Sequence, residues 1–255
     1  MTTSIVEVCS SEDTVKQLPE LCNRIGFKLG KLRLALIKPN ICGLYHPSIK
    51  ILYGAVRFLL TGVRLVIIGE TSSMVHDPED QFRRLGILNL VKNFGGNVVA
   101  LDLSNDEWMK VKVPNPHVLR EIELPKKVLE SDLLINIPRA GTHSTTLLTC
   151  ASKNLFGLLP QKHKYSIYHP LGIDKVVADI AQTVRPPLNI VDMGNRVIIG
   201  SDILTVDIVA CKFIGLDPLK IEHLRLIAHD RGENLEKIKN NIQIKTLKED
   251  LKYSH

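Results

Sequence analysis

From Leu32 onward, short apolar runs rich in β-branched residues alternate with longer amphipathic stretches. Leu32-Arg-Leu-Ala-Leu-Ile37 predicts a strand ending at Lys38-Pro39-Asn40, and Pro47 predicts the first position of a helix running to about Leu60. Arg64-Leu-Val-Ile-Ile68 predicts the next strand, ending at Gly69-Glu-Thr-Ser-Ser73. A second helix is expected from Pro78 to the glycine pair Gly95-Gly96, followed by a strand from Asn97 to Leu103. Between residues 106 and 124 the pattern changes: valines and isoleucines interleave with polar residues and are broken by Pro114 and Pro116, as in a small antiparallel excursion. The alternation then resumes. Strands are expected at Leu133–Ile137 and Leu188–Val191, and helices at Thr145 to about Leu158, Asp174–Thr183, Asp202–Leu216 and Pro218 to about His229. A closing strand or arm is expected from Asn241 to Leu247.

This alternation predicts an α/β fold with a mostly parallel sheet, helices on both faces and a small antiparallel insertion. Residues 1–255 are expected to form a single domain, with the insertion near 106–124 and a C-terminal arm over about 233–255. The stretch Ile242–Leu251 could pair with another chain or close its own sheet. In such sheets ligands bind beyond the carboxyl ends of the strands. Polar residues gather at those ends: Lys38 and Asn40, Glu70 to Ser73, Asp102 and Ser104, Arg139 and His143, and Asp192.

Composition sharpens the picture only locally. At 255 residues, with 44% hydrophobic and 24% charged residues, the chain suits a globular protein. A net charge of +6 and a pI near 9.0 favour anionic partners without naming one. More telling is the run Leu133 to Ile173, which contains no Asp or Glu but carries Arg139, Lys153, Lys162, Lys164, His143, His163 and His169. The cysteines, Cys9, Cys22, Cys42, Cys150 and Cys211, show no Cys-x-x-Cys spacing, so no iron–sulfur motif is encoded and buried free thiols are expected. The N-terminus lacks the regions of a signal peptide, and the longest apolar stretch, Ile51–Ile68, is interrupted by Arg57 and Arg64. A cytoplasmic protein without a membrane span is expected.

The strongest candidate for chemistry is Arg139-Ala-Gly-Thr-His-Ser-Thr-Thr146. A strand leading through hydroxyl-rich residues into a helix would present free backbone amides, Thr142, Ser144, Thr145 and Arg139 to an anion; an ordinary helix cap uses the same residue types. His143 and His169 are candidate general acids or bases, as histidine titrates near neutral pH. Lys153 and Asn154 follow on the expected helix, within reach of the same anion. Lys38 and Asn40 could hold it from the first strand, with Glu70 as a base. The Gly69–Ser73 turn matches neither the Walker nor the Gly-x-Gly-x-x-Gly pattern, which disfavours classical ATP or NAD binding. A metal on His143, His163 and His169 is disfavoured by their spacing and by the lack of nearby carboxylates. Asp202 reads as a helix cap; Asp207, on an apolar helix face, needs a partner, with a basic residue the first candidate.

These motifs, in this order, resemble the family catalogued as Domain of Unknown Function 362. The resemblance runs from about Leu32 to Gly232. It rests on Lys38-Pro39-Asn40, Gly69-Glu70, Arg139-Ala-Gly-Thr-His143, Lys153-Asn-Leu-Phe-Gly157, His169, Asp192 and Gly200-Ser-Asp202 through Asp207. It departs from the family pattern in three ways. Gly141 stands where the family has a lysine, only Met193–Ile199 remain of a usually longer glycine-rich loop, and the ferredoxin-like cysteine cluster of many relatives is missing. The resemblance implies where a site lies more than what it does. A remoter likeness to the amino-terminal domain of the nickel-pincer lactate racemase family implies an α-hydroxy-acid or nucleotide-derived ligand. Three functional expectations follow: a small-molecule enzyme acting on an anion, a non-catalytic RNA- or ribosome-associated factor using the same basic face, or a degenerate relative kept as a partner subunit. Aromatic residues at only 5% leave few stacking platforms for single-stranded RNA.

Overall fold

A computed structural model describes residues 4–246. The chain begins with strand β1 (Ser4–Ser10) and helix α1 (Ser11–Arg24), then alternates β2 (Leu32–Pro39), α2 (Ile49–Leu59), β3 (Val63–Glu70), α3 (Pro78–Arg84), α4 (Ile87–Lys92) and β4 (Val98–Asp102). A hairpin of β5 (Trp108–Lys112) and β6 (Glu121–Pro125) leads through the short α5 (Lys126–Glu130) to β7 (Leu133–Ile137). A second hairpin, β8 (Gly141–His143) and β9 (Leu147–Thr149), precedes α6 (Ala151–Asn154), α7 (Lys164–Tyr168) and α8 (Ile173–Thr183). The last elements are β10 (Leu188–Asp192), β11 (Arg196–Gly200), α9 (Ile203–Ile214), α10 (Glu222–Asp230), α11 (Leu235–Asn241) and β12 (Ile242–Thr246).

Eight strands form one sheet in the order β12-β1-β11-β10-β7-β2-β3-β4, and only β11 runs against the others. The central strands are buried on both faces, so their sequences are continuous apolar runs rather than alternating ones. In β2, Leu34 and Leu36 join a core shared with α8, α9 and α10, whereas Ala35 and Ile37 join a core shared with α1 and α2. From β2 the chain adds β3 and β4 on one side, then crosses to add β7 and β10 on the other. Strand order therefore reverses at β2, and a crevice opens there beyond the carboxyl ends of the strands.

The expected α/β architecture is present, and so are the antiparallel insertion and the buried free cysteines. Several local expectations need correction. Pro47 lies outside α2, because Ser48 caps that helix by accepting from the Lys50 amide. The helix expected from Pro78 to Gly95 is two helices, since Gly86 adopts φ +75° and breaks the run. The helix expected from Thr145 is absent: residues 141–149 form the β8–β9 hairpin, and helical structure starts only at Ala151 and tightens to a 3-10 turn at Leu155–Leu158. Pro218 opens a 3-10 turn ahead of α10. Strand β1, helix α1 and strand β11 had no counterpart in the sequence reading. Of the C-terminal arm, β12 pairs in parallel with β1 and so extends the chain's own sheet. Leu247–Leu251 lie outside the described residues.

Candidate functional site

Because β2, β3, β4, β7 and β10 run in parallel, all five polar strand ends emerge on one edge of the sheet. They do not converge on one point. A cavity of about 310 Å³ opens beyond β2 and β3, walled by the loops after those strands, by the β8–β9 hairpin and by α6 and α7. Lys38, Asn40, Glu70, His143, Lys153, Asn154 and His169 line it, whereas Arg139, Thr142, Ser144, Thr145, Asp192 and Asp207 do not.

The floor is a buried ion pair, Lys38 Nζ to Glu70 Oε1 at 2.7 Å. The Lys38 ammonium also donates to Pro39 O at 2.7 Å and Asn154 Oδ1 at 3.3 Å, which engages all three of its protons. Glu70 in turn accepts the amides of Thr71 (2.9 Å) and Ile41 (3.0 Å). Asn154 passes the network inward: its amide donates to Asn136 Oδ1 (2.7 Å), whose own amide donates to Asn189 Oδ1 (3.0 Å). Four polar side chains from β2, α6, β7 and β10 are thus linked under the cavity, each buried and each hydrogen-bonded. Gly157 makes room for this floor, since a Cβ there would stand 2.9 Å from Lys38 Nζ.

Two further lysines face the cavity. Lys164, on α7, is buried and donates to Ser72 O (2.7 Å) and Thr71 Oγ1 (3.2 Å), leaving one proton unused. Thr71 Oγ in turn donates to Gly157 O, tying the β3 loop to the 3-10 turn. Lys153, on α6, is half-buried; its ammonium lies 6.0 Å from the Phe156 ring and has no protein hydrogen bond or ion pair among the described residues. Burial pushes both ammonium groups down to about 8 from the usual lysine range; Glu70 partly offsets this at Lys164 and Asp174 does so at Lys153. Lys162 completes the cationic lining, and Glu70 is the only carboxylate among the lining residues.

The hairpin positions His143. Its Nδ1 accepts the backbone N–H groups of Thr145 (3.2 Å) and Thr146 (3.3 Å), which assigns the ring proton to Nε2. This tight turn ends on Leu147 at φ +61°, a left-handed conformation that costs a leucine about 1 kcal/mol or more. Burial, then Lys153 and His169, lower the imidazole to about 4, so it is neutral at physiological pH and Nε2–H is a donor. His169, with ring centroid 6.4 Å away, is also lowered by burial and by Lys153, and Tyr165 stacks on it at 3.9 Å. Cys42 also lines the cavity, but burial and Glu70 raise its thiol, so it is no thiolate nucleophile.

Helix α6 does have amides at its N-terminus, and they are already occupied. Asp207, buried on α9, accepts Ala151 N (2.7 Å), Ser152 N (3.0 Å) and Ser152 Oγ (2.5 Å). The partner of Asp207 is therefore a helix end and a serine rather than a basic residue. Arg139 and Asp192 form a separate cluster outside the cavity. Arg139 Nη1 lies 3.6 Å from Asp192 Oδ2, and the same carboxylate accepts Ser48 N (2.7 Å) at the start of α2 and Gly194 N (2.6 Å). Among the described residues no three His, Cys, Asp or Glu side chains gather where they could hold a metal ion, and His163 stands outside the cavity lining. Tyr165 is a lining residue without a signal in the sequence, whereas Lys164 and Thr71 were marked only by membership of the acid-free run and of the polar strand end Glu70 to Ser73.

A family model described as "Domain of unknown function (DUF362)" matches residues 35–212, a span that contains every residue of the cavity. A curated relative, the thylakoid-associated protein sll1697 of Synechocystis, is 27% identical over 121 residues, or 39% of this chain and 38% of that protein. The chain thus covers well under half of that relative's length. Among solved structures, the lactate racemase apoprotein of Thermoanaerobacterium thermosaccharolyticum is similar with a TM-score of 0.55 and 18% identity, over 82% of this chain and 56% of that one. At that identity the likeness is one of fold. No helix among the described residues is long and apolar enough to cross a membrane.

Proposed function

For a chain that belongs to the DUF362 family, we propose that the cavity beyond β2 and β3 binds a small anionic molecule and exchanges protons with it. One observation carries this reading: Lys153, Lys162 and Lys164 line a cavity whose only carboxylate, Glu70, is already paired with Lys38. The unmatched positive charge calls for an anion, and Lys153, with no hydrogen-bond or ion-pair partner among the described residues, is its first contact. A concave site of this size suits a small molecule better than the extended basic track that a nucleic-acid backbone requires.

In this reading Lys38, Glu70 and Asn154 are positioning residues that hold the floor rigid, because their hydrogen-bonding capacity is spent on one another. His143 acts as a neutral electrophile: its low pKa keeps Nε2–H in place to polarise a carbonyl or carboxylate oxygen. His169, whose ring nitrogens have no protein partner among the described residues, takes and returns the proton. Arg139 and Asp192 order the entry to α2 rather than the ligand.

The test is calorimetric titration with inorganic phosphate. Lys153→Met and Lys164→Met should each weaken binding by about tenfold or more, with circular dichroism unchanged. Equal phosphate affinity in wild type and both variants would refute the assignment. RNA binding that falls steeply with salt and ignores both substitutions would move the function to the nucleic-acid reading. For a bound carboxylate with a C–H on the adjacent carbon, the proton-transfer step predicts deuterium uptake from D2O at that carbon, abolished by His169→Gln.

A further inference from the structure

The mouth of the same cavity is apolar. Leu44, Val75, Tyr165 and Met74 are 86%, 73%, 62% and 58% exposed, the four most exposed large hydrophobic side chains among the described residues, and all four line this cavity. They come from three separate segments: the loop after β2, the loop after β3, and α7. Scattered single apolar residues on a surface need no explanation, but a ring of them at one opening does. Just inside the ring the lining becomes cationic, with Lys153 and Lys164. A molecule that contacts both zones must carry its charge at one end and hydrocarbon at the other.

We propose that the ligand is an amphiphilic anion, a carboxylate or phosphate ester whose alkyl chain or ring lies against Leu44, Met74, Val75 and Tyr165. This rests on the anion-site reading above and adds the substrate class. The Tyr165–His169 stack, tilted by 32°, offers a broad wall for the hydrocarbon beside the proposed proton-transfer group. The anionic end, drawn inward by the lysines, then brings the carbons next to it up to His143 and His169.

Straight-chain carboxylates from butanoate to octanoate, each titrated calorimetrically below its micelle concentration, test the idea. Each methylene that leaves water should tighten binding by about fourfold, so octanoate, with four more, should exceed butanoate by about 250-fold if its whole chain is covered and by about fourfold if one methylene is. In a Met74→Ser, Val75→Ser double variant the ratio between the two should shrink. Equal affinities along the series, with all binding lost in Lys153→Met, would overturn the amphiphile and leave the anion site standing. A ratio unchanged in the double variant would overturn the assigned rim. Octanoate binding that persists undiminished in Lys153→Met and Lys164→Met would refute the anion site itself. Retention on phosphatidylglycerol vesicles without binding of monomeric octanoate would assign the rim to a lipid surface, and the proposal would fall.

Discussion

Anion affinity should fall sharply above pH 8, and the cavity sets how sharply. Lys153 and Lys164 titrate near 8 in the free protein because burial penalises their charged forms. An anion that needs both ammonium groups binds the doubly protonated species. Between pH 7 and pH 9 a group with pKa 8 goes from about 90% to about 10% protonated, so each lysine contributes about a tenfold loss. Together they predict roughly a hundredfold weaker binding at pH 9 than at pH 7, with a limiting slope of two protons. His143 and His169 do not contribute, because both are shifted down from the ordinary histidine range. Cys42 is shifted upward, out of the window. Calorimetric titration with sulfate, whose charge is constant over this range, isolates the protein groups. The unliganded protein should show the opposite sign. Its two lysines have folded pKa values below the unfolded value of about 10.4, so the unfolded chain binds more protons between pH 8 and 10.4 and folding stability rises with pH there. A flat sulfate affinity up to pH 9 would show that neither lysine loses its proton in that window, and would refute the link between burial and anion affinity.

Two further outcomes follow from the buried polar network. Lys38→Met should leave Glu70 buried without its ion-pair partner, with only Lys164 as a remaining countercharge, and lower stability by about 3 kcal/mol, measured by urea denaturation. The pair Lys38→Met, Glu70→Leu should recover much of that loss, and a double variant as unstable as the sum of the single ones would refute the pairing argument. Asp207→Ala strips Ala151 N, Ser152 N, Ser152 Oγ and the Cys150 thiol of their acceptor and opens a cavity in the core. A loss of about 3 kcal/mol or more is expected, with Asp207→Asn milder because its amide oxygen still accepts. Unchanged thermal melting of Asp207→Ala would contradict the role given to that carboxylate.

Much of the fold was legible because its signals are local. Strands such as Leu133–Ile137 are uninterrupted apolar runs between polar ends, and that pattern alone locates a central parallel strand. Their shared direction then places Lys38, Glu70, Arg139 and Asp192 on one edge without any knowledge of contacts. Local signals failed where tertiary contacts decide. Gly-Thr-His-Ser-Thr-Thr reads as a helix entry because serine and threonine favour caps, yet the segment folds back as a hairpin whose Nδ1 acceptor on His143 replaces the cap. Strand β11 was missed because Met193–Ile199 read as the remnant of a loop, whereas Arg196–Gly200 completes the sheet between β10 and β1.

Asp207 shows why a helix start could not be read as an anion site. The sequence presents two facts: serine and alanine near a helix start, and an aspartate fifty-odd residues later on an apolar face. Each alone points to a partner, the first to an anion and the second to a basic residue. Folding brings the two together, so that the helix end is neutralised by the chain's own carboxylate and neither is left for an external molecule. The same test separates the remaining candidates. Lys38 and Glu70 satisfy each other, and Arg139 and Asp192 lie together at the start of α2. Lys153 has no such partner among the described residues, and the acid-free run around it holds none near in sequence. Charges that a fold leaves uncompensated beside a cavity are candidates for ligand contact, and among the described residues that criterion selects Lys153 and Lys162.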